Sequence, residues 1–532
     1  MHDHGRLHHH HREPGRPPIG GRRRSVALGV LCLCGLTAGV DMTITNVALP
    51  AIGRALDAST NQLQWTVDAY NIVLTGLIVL GGAVADRQGR RLVFLVSYAV
   101  FALASLAAAF SPSIGVLIGA RALMGLGAAG VTAPSLAIIA SMFPPEERGR
   151  AIGSFVIFGA TGLAVGPIAG GLLLDHFWWG SVFLVNVPIV VAGMVLGART
   201  IPESRAPLPA GGRRPALDVV GALMSVVGLG ALLFGVIEGP GRGWTSPFVI
   251  GAIVVGAVAL VAFVRRELRV SSPLFDVRIL RRPAVATGSL TLLLAYVVFN
   301  SFLFLNPQYL HDVQGESIVL VGLLFAPFAV VFGACSLQAQ RVVGRLGARS
   351  TITLGLVVSA IAAAGFAVAV NGPLWETVAA TVILGVGLSA LIAPPSTVVM
   401  NALPASKAGD GSSLNFVSRF AGASVGVAIV GSIAASIFVR DLDPTPHVLS
   451  SGQLHRAEGS LQGALTVADT LAPSAQRSLQ LAAQDAFDRG ATVAYAVVAV
   501  LALVAAAVAW VTLGRTQRDE ETREAVRPAR GR

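Results

Sequence analysis

Charge is scarce in this sequence: Asp, Glu, Lys and Arg together make up 13% of 532 residues, against about 25% in a soluble chain. So little charge cannot cover a water-facing surface, which excludes an ordinary soluble globular protein. Cysteine is scarcer still. Cys32, Cys34 and Cys335 are the three present, and each falls in an apolar stretch. That excludes a disulfide-stapled secreted fold and reads as small apolar filler. There is no G-x-x-x-x-G-K-[ST] phosphate loop, no zincin or nucleophile-elbow pattern and no metal-ligand spacing. No cofactor, metal or enzymatic reaction is therefore expected, and any work must draw on an ion gradient rather than ATP. The formal charge is +11, but no aromatic residues interleave the basic ones, so no nucleic-acid partner is expected.

What the chain has instead is length of apolar run. Hydrophobic residues are 54% of it, and mean hydropathy is +0.71. Runs of about 20 residues, enough to cross a bilayer, fall at 26–50, 63–85, 92–110, 114–142, 151–174, 181–200, 217–237, 247–265, 284–308, 318–339, 351–370, 376–401, 409–438 and 490–513. This predicts an all-α polytopic membrane protein with about fourteen transmembrane helices. The basic residues sit in alternate loops: Arg22 to Arg24, Arg148 and Arg150, Arg213 and Arg214, Arg278 to Arg282, Arg341 to Arg349, Lys407, and Arg515 with Arg518. The positive-inside rule places those loops and both termini in the cytoplasm of a multi-pass cell-membrane protein. The lead-in before residue 25 lacks a small-residue cleavage site and is not a cleavable signal. Its histidines, His2, His4 and His8 to His11, read as a native tail or a purification tag rather than a metal site.

The expected organisation is a basic, His-rich tail over 1–24 and a six-helix bundle over 25–201. Residues 202–283 hold a polar linker, an inserted helix pair and a basic connection. A second six-helix bundle covers 284–513, with an outer segment at 440–489 in which Ser478 to Arg489 reads as a short amphipathic helix. A cytoplasmic tail, 514–532, ends the chain.

The stretch with most information is the turn between the second and third runs. Gly82-Ala83-Val84-Ala85-Asp86-Arg87-Gln88-Gly89-Arg90-Arg91 packs an acid and three arginines between helices with almost no other charge. Charges at mid-bilayer cost roughly 3 kcal/mol each on insertion scales, so this turn sits at a water boundary. It resembles the G-x-x-x-D-R-x-G-R-R loop between helices 2 and 3 of the major facilitator superfamily. Arg341 to Arg349 looks like a degenerate second copy without the Asp, as expected of two halves related by an axis along the membrane normal. The resemblance implies a major facilitator fold: two six-helix bundles plus an inserted central pair. It gives Gly82, Asp86, Arg87, Gly89, Arg90 and Arg91 a gating role.

Four further elements extend the likeness. Asp41 to Pro50 resembles the D-x-T-x-x-N-x-A-L-P element of the fourteen-helix drug:proton antiporters of the EmrB/QacA type. A carboxylate within a span is a functional hypothesis by default, and Thr45 lies one turn on. Arg121, in a stretch like R-x-x-Q-G-x-G-A-A with Met124 in place of Gln, needs a buried acid as partner, and Asp41 is the obvious one. Together Asp41 and Arg121 are the expected proton-coupling pair. Asp68, with Trp65 and Asn71, offers an acid, an aromatic ring and an amide suited to a flat cation. Quaternary-ammonium exporters of this family carry an acid in a matching context. Gly162, Gly166, Pro167, Gly170 and Gly171 resemble G-x-x-x-G-P-x-x-G-G of helix 5, the family's antiporter motif. Asn415 and Arg419, one turn apart, could bind a substrate carboxylate or hold a neighbouring helix. Glu238 is expected to be merely solvated.

The functional expectation is a monomeric antiporter that exchanges protons for amphipathic drugs, dyes, quaternary ammonium compounds or an endogenous antibiotic. A symporter for a small metabolite and a non-transporting membrane receptor are the alternatives. The helix 5 motif argues against the first and paired intramembrane charges against the second.

Overall fold

A computed structural model describes residues 21–205, 217–270, 273, 276–404, 407–442 and 449–526. The histidine cluster and most of the polar linker lie outside these residues. Among the described residues every regular element is helical. In lipid that is the physical expectation, because a helix satisfies its own backbone donors and acceptors.

The helices in chain order are α1 Gly21–Leu56, α2 Thr60–Gln88, α3 Arg90–Ala109, α4 Ile114–Met142, α5 Pro145–His176, α6 Ser181–Leu184, α7 Asn186–Thr200, α8 Val219–Arg242 and α9 Pro247–Glu267. Then follow α10 Pro283–Gln308, α11 Ile318–Leu323, α12 Phe325–Ala369, α13 Leu374–Asn401, α14 Ala408–Asp441, α15 Ser451–Gly459, α16 Leu461–Ala468 and α17 Pro473–Val526. Starts are set by local chemistry. Ser59 and Gln62 form a reciprocal capping box on α2, Asp218 accepts from Gly221 N at the start of α8, and Pro247 and Pro283 open α9 and α10, where a missing N–H costs nothing.

Among the described residues twelve helices are long and apolar enough to cross a membrane, and α5, bent by 40° between Arg150–Leu163 and Val165–His176, makes thirteen. Pro167 explains that bend, since it cannot donate to the carbonyl of Leu163. One of the twelve, the α11–α12 unit Ile318–Ala369, is 52 residues long. At 1.5 Å per residue it would reach roughly 78 Å, more than twice a hydrocarbon core of about 30 Å. It breaks at Gly347, whose φ of 79° suits glycine, so it makes two crossings and the total is fourteen. The last crossing differs from expectation at its start: 478–489 is no separate helix but the opening turns of α17. The span at 181–200 is divided at Val185, because Pro188 removes the bond to the carbonyl of Leu184.

Two groups of helices result. In the first, α1 packs on α5 and α7, and α4 packs on α2 and α3. In the second, α10 packs on α13, α14 and α17, and α12 on α13 and α17. The groups meet along α2–α14, α5–α11 and α1–α10. The inserted α8 lies against both α2 and α14, while the substantial contacts of α9 are with α8. The molecule has a basic end, marked by Arg87 to Arg91 and Arg341 to Arg349, and an opposite end that is bolted shut. There Arg54 of α1 pairs with the fully buried carboxylate of Asp312 at 2.5 Å. Gln462 of α16 donates to Asp312 (2.8 Å) and to Gln308 (3.3 Å). Arg456 of α15 pairs with Asp57 at 2.9 Å, so the segment after α14 reaches across to the first group.

Candidate functional site

The most buried arginine among the described residues is Arg121, at 1% exposure. A guanidinium stays protonated and carries five donors in a rigid fork. Here Nη1 donates to Asp41 Oδ2 at 2.8 Å, and Nε donates to the Thr66 carbonyl at 3.0 Å. Asp41 is wholly buried and takes a second bond from Asn186 Nδ2 at 3.2 Å. The ring of Tyr70 lies 4.5 Å below the guanidinium carbon, and Phe183 stands 5.8 Å away. Met124 meets the same Nη1 at 3.9 Å through its sulfur, a weak acceptor in the place of the family's amide. The Asp41 and Arg121 named from sequence are thus brought into direct contact. Thr45 turns its hydroxyl to its own helix, on the Asp41 carbonyl at 3.2 Å. Tyr70 and Asn186 lie in stretches that carry the family likeness, but as neutral residues they announce no role of their own.

Tyr70 is also a wall of the central cavity, about 180 Å³, that lies between the two groups. Phe155, Tyr296, Phe332 and Phe416 supply further aromatic walls, and Arg419 is its charged lining residue. Arg419 donates to Ser396 Oγ at 3.3 Å and has an Nε without a partner. Asn415, one turn earlier, has an unpartnered buried carbonyl oxygen. Drug-sized pockets run from about 300 Å³ upward, so this space must widen to take such a ligand.

Asp68, Trp65 and Asn71 do not line this cavity. Asp68 is fully buried on α2, with both carboxylate oxygens unpartnered, and Ser424 of α14 faces it. Gln64, one turn away, and Asn71 also hold unpartnered buried atoms. Unpaired buried polar atoms cost about 1–3 kcal/mol each, so this α2–α14 seam is a costly strip in the closed arrangement. Trp65 points elsewhere: its Nε1 donates to Glu238 of α8 at 3.3 Å. Glu238 is therefore not merely solvated; it holds Trp65 and also pairs with Arg242 at 2.9 Å.

At the basic end Asp86 pairs with Arg90 at 2.8 Å. Arg90 also reaches the Ala137 carbonyl at 3.4 Å, and Arg91 reaches that of Ala198. Gly89 has φ 128°, and a side chain there would strike the Glu203 carboxylate. Glu203 accepts from the backbone N–H groups of Arg91 and Leu92, both at 3.2 Å. It caps the positive N-terminus of α3. Sequence reading passed over it, although an acid in Pro202-Glu203-Ser204, just past a span, sits at the level of a basic turn. Gly162 and Gly166 of α5 lie against α1. A Cβ on Gly166 would collide with Thr43 Oγ1 and stand 2.9 Å from the Val40 carbonyl. Gly171 approaches Ile318 and Val319 of α11 in the same way, so the glycine face of α5 serves both an internal contact and the seam between the groups.

Two helical groups around a central cavity, with a buried ion pair in one and sealed seams between them, define a polytopic membrane transporter. The sequence profile of the Major Facilitator Superfamily matches residues 31–221 and 216–427, and the chain belongs to that superfamily. It is 32% identical over 499 residues to the methyl viologen resistance protein SmvA of Salmonella typhimurium, covering 93% of this chain and 99% of that one. It is 34% identical over 500 residues to the multidrug efflux pump LfrA of Mycolicibacterium smegmatis, covering 93% and 97%. Among solved structures it resembles a bacterial homologue of the lysosomal transporter Spinster in an inward-facing, unoccupied conformation. The TM-score is 0.64 at 17% identity, over 94% of this chain and 98% of the other, a likeness of fold.

Proposed function

We propose that this chain exports amphipathic small molecules, flat cations among them, from the cytoplasm in exchange for protons. The observation that carries the reading is the sealed Asp41–Arg121 pair, separated from an aromatic cavity by the single ring of Tyr70. Resistance and multidrug efflux in the names of relatives at over 90% coverage support the export direction. Methyl viologen, named for one of them, is a flat dication, and the aromatic rings that wall the cavity can stack on such a ligand.

In this reading the basic end is cytoplasmic, both termini lie there, and the protein works as a monomer. The described conformation is closed to the outside. Substrate enters from the cytoplasmic side and stacks on Tyr70, Phe155 and Tyr296. The α2–α14, α1–α10 and α5–α11 seams then part toward the outside, which exposes Asp68 to the outer mouth, where it faces departing cations. A proton reaching Asp41 neutralises it and releases Arg121 from its charge partner; Asn186 and the Thr66 carbonyl keep their places. The loss of that pairing biases the return to the inward state, where the proton leaves. Asp86, Arg90, Arg91 and Glu203 latch the cytoplasmic ends, and the division at 201 and 284 into bundle, insert and bundle describes the moving parts. Cells expressing the protein should lose a cationic dye faster than controls, and an uncoupler should abolish the difference. Dye accumulation on expression would favour uptake, and absence of flux for any ligand a receptor.

A further inference from the structure

The inserted pair has an unequal design. Helix α8 is hydrogen-bonded to both moving groups: Ser225 donates to the Gly76 carbonyl of α2 at 3.3 Å, and Ser432 of α14 donates to the Val236 carbonyl at 2.6 Å. Helix α9 packs mainly on α8, with Phe263 near its end set against Val277, Val285, Val399 and Leu403; much of its remaining surface is exposed and apolar, and its mean hydropathy reaches 2.7. Along one stripe of α9, at spacings of four, three and four residues, lie Val254, Val258, Val261 and Arg265. The three valines are 53%, 62% and 51% exposed. A concavity on this face continues to Arg269. Arg266, between the two, is held by both oxygens of Asp218 at 2.9 and 3.0 Å. Among the described residues no carboxylate pairs with Arg265 or Arg269, and both are exposed.

We infer that this face of α9 is a binding site for one anionic phospholipid of the leaflet at the basic end. Acyl chains lie along the valine stripe, and the headgroup phosphate is held by Arg265 and Arg269. The charge balance selects the ligand. Two guanidinium groups without a protein counter-ion leave an uncompensated positive charge at the membrane interface, where each is worth about 1 kcal/mol toward anionic lipid. A zwitterionic headgroup brings its own ammonium, which cancels the phosphate charge, whereas an anionic headgroup leaves a net negative charge for the two arginines. Arg also offers the planar fork that fits phosphate oxygens. A lipid seated here anchors the one helix pair that is bonded to both sides of the α2–α14 seam.

The test uses purified full-length protein, stripped of lipid in detergent and titrated with phosphatidylglycerol or phosphatidylcholine of identical chains. Bound lipid is read by native mass spectrometry. Wild type should retain phosphatidylglycerol in preference. The Arg265→Gln/Arg269→Gln variant should lose that preference by about fivefold per arginine, with its unfolding temperature in detergent unchanged. Arg265→Lys/Arg269→Lys should keep most of it. Arg345→Gln, an exposed arginine of α12 at the same end, should change nothing. An undiminished preference in the double Gln variant would overturn the assignment, as would an equal loss in Arg345→Gln. Displacement of the lipid by millimolar inorganic phosphate would reduce the site to a simple anion site and overturn it too.

Discussion

Two buried acids in the first group have opposite circumstances. Asp41 is bonded by Arg121 and Asn186; Asp68 is bonded by nothing within hydrogen-bond distance. Arg121→Ala strands the Asp41 carboxylate in the core, and breaking one side of a buried pair costs about 3–5 kcal/mol. That variant should show a sharply lowered melting temperature in detergent. Asp68→Asn removes a charge that has no partner, so it should fold well. It should weaken resistance to a cationic compound by about tenfold, the worth of roughly 1.4 kcal/mol in a partly wet mouth, and spare a neutral one. Equal losses for both compounds would assign Asp68 to the proton pathway or the scaffold. Asp41, Arg121 and Asp68 were legible in the sequence because an ionised residue inside an apolar run is conspicuous. The roles of their neighbours Asn186, Tyr70 and Ser424 were not, since a neutral side chain in a span carries no charge that demands a partner.

Among elements, the short connection after α2 joins four helices. Asp86, Arg90 and Arg91 tie α2 and α3 to α4 and α7, and Glu203 caps α3 from the far end of the group. Asp86→Asn and Glu203→Gln each remove charge while leaving an oxygen to accept. Each should slow turnover several-fold with ligand affinity nearly unchanged; a large loss of binding with normal turnover would contradict the latch. Helix positions were readable because a bilayer demands about 20 apolar residues wherever the chain crosses. The break at Gly347 falls between the runs 318–339 and 351–370, where the glycines and arginines announced it. Other junctions were not readable: Ser478 to Arg489 runs into the last span without a stop. Hydropathy marks where a chain leaves lipid, while helix ends depend on caps, prolines and a left-handed glycine.

For the molecule as a whole, the closed end opposite the basic one decides which state is populated. Arg54, Asp312 and Gln462 bring α1, the end of α10 and α16 to one point. A charged hydrogen bond of this kind is worth about 1.5–3 kcal/mol. Asp312→Asn should therefore shift the resting equilibrium toward the outward-open state by about tenfold or more. Spin labels placed on the α1–α2 and α16 turns should report the longer distance in the variant; an unchanged distribution would leave the bolt without a gating role. The two-group plan and the inserted pair were foreseeable from the count and spacing of runs. The bridging of α15 and α16 onto the first group was not, because contacts such as Arg456 with Asp57 join residues some four hundred positions apart. The most direct test of proton-driven export compares wild type with Asp41→Asn in proteoliposomes under an imposed pH gradient, with a cationic dye as cargo. Wild type should move dye against its gradient and dissipate the proton gradient as it does so, and the variant should insert and bind dye yet do neither. Full pH-driven transport by Asp41→Asn would contradict the account.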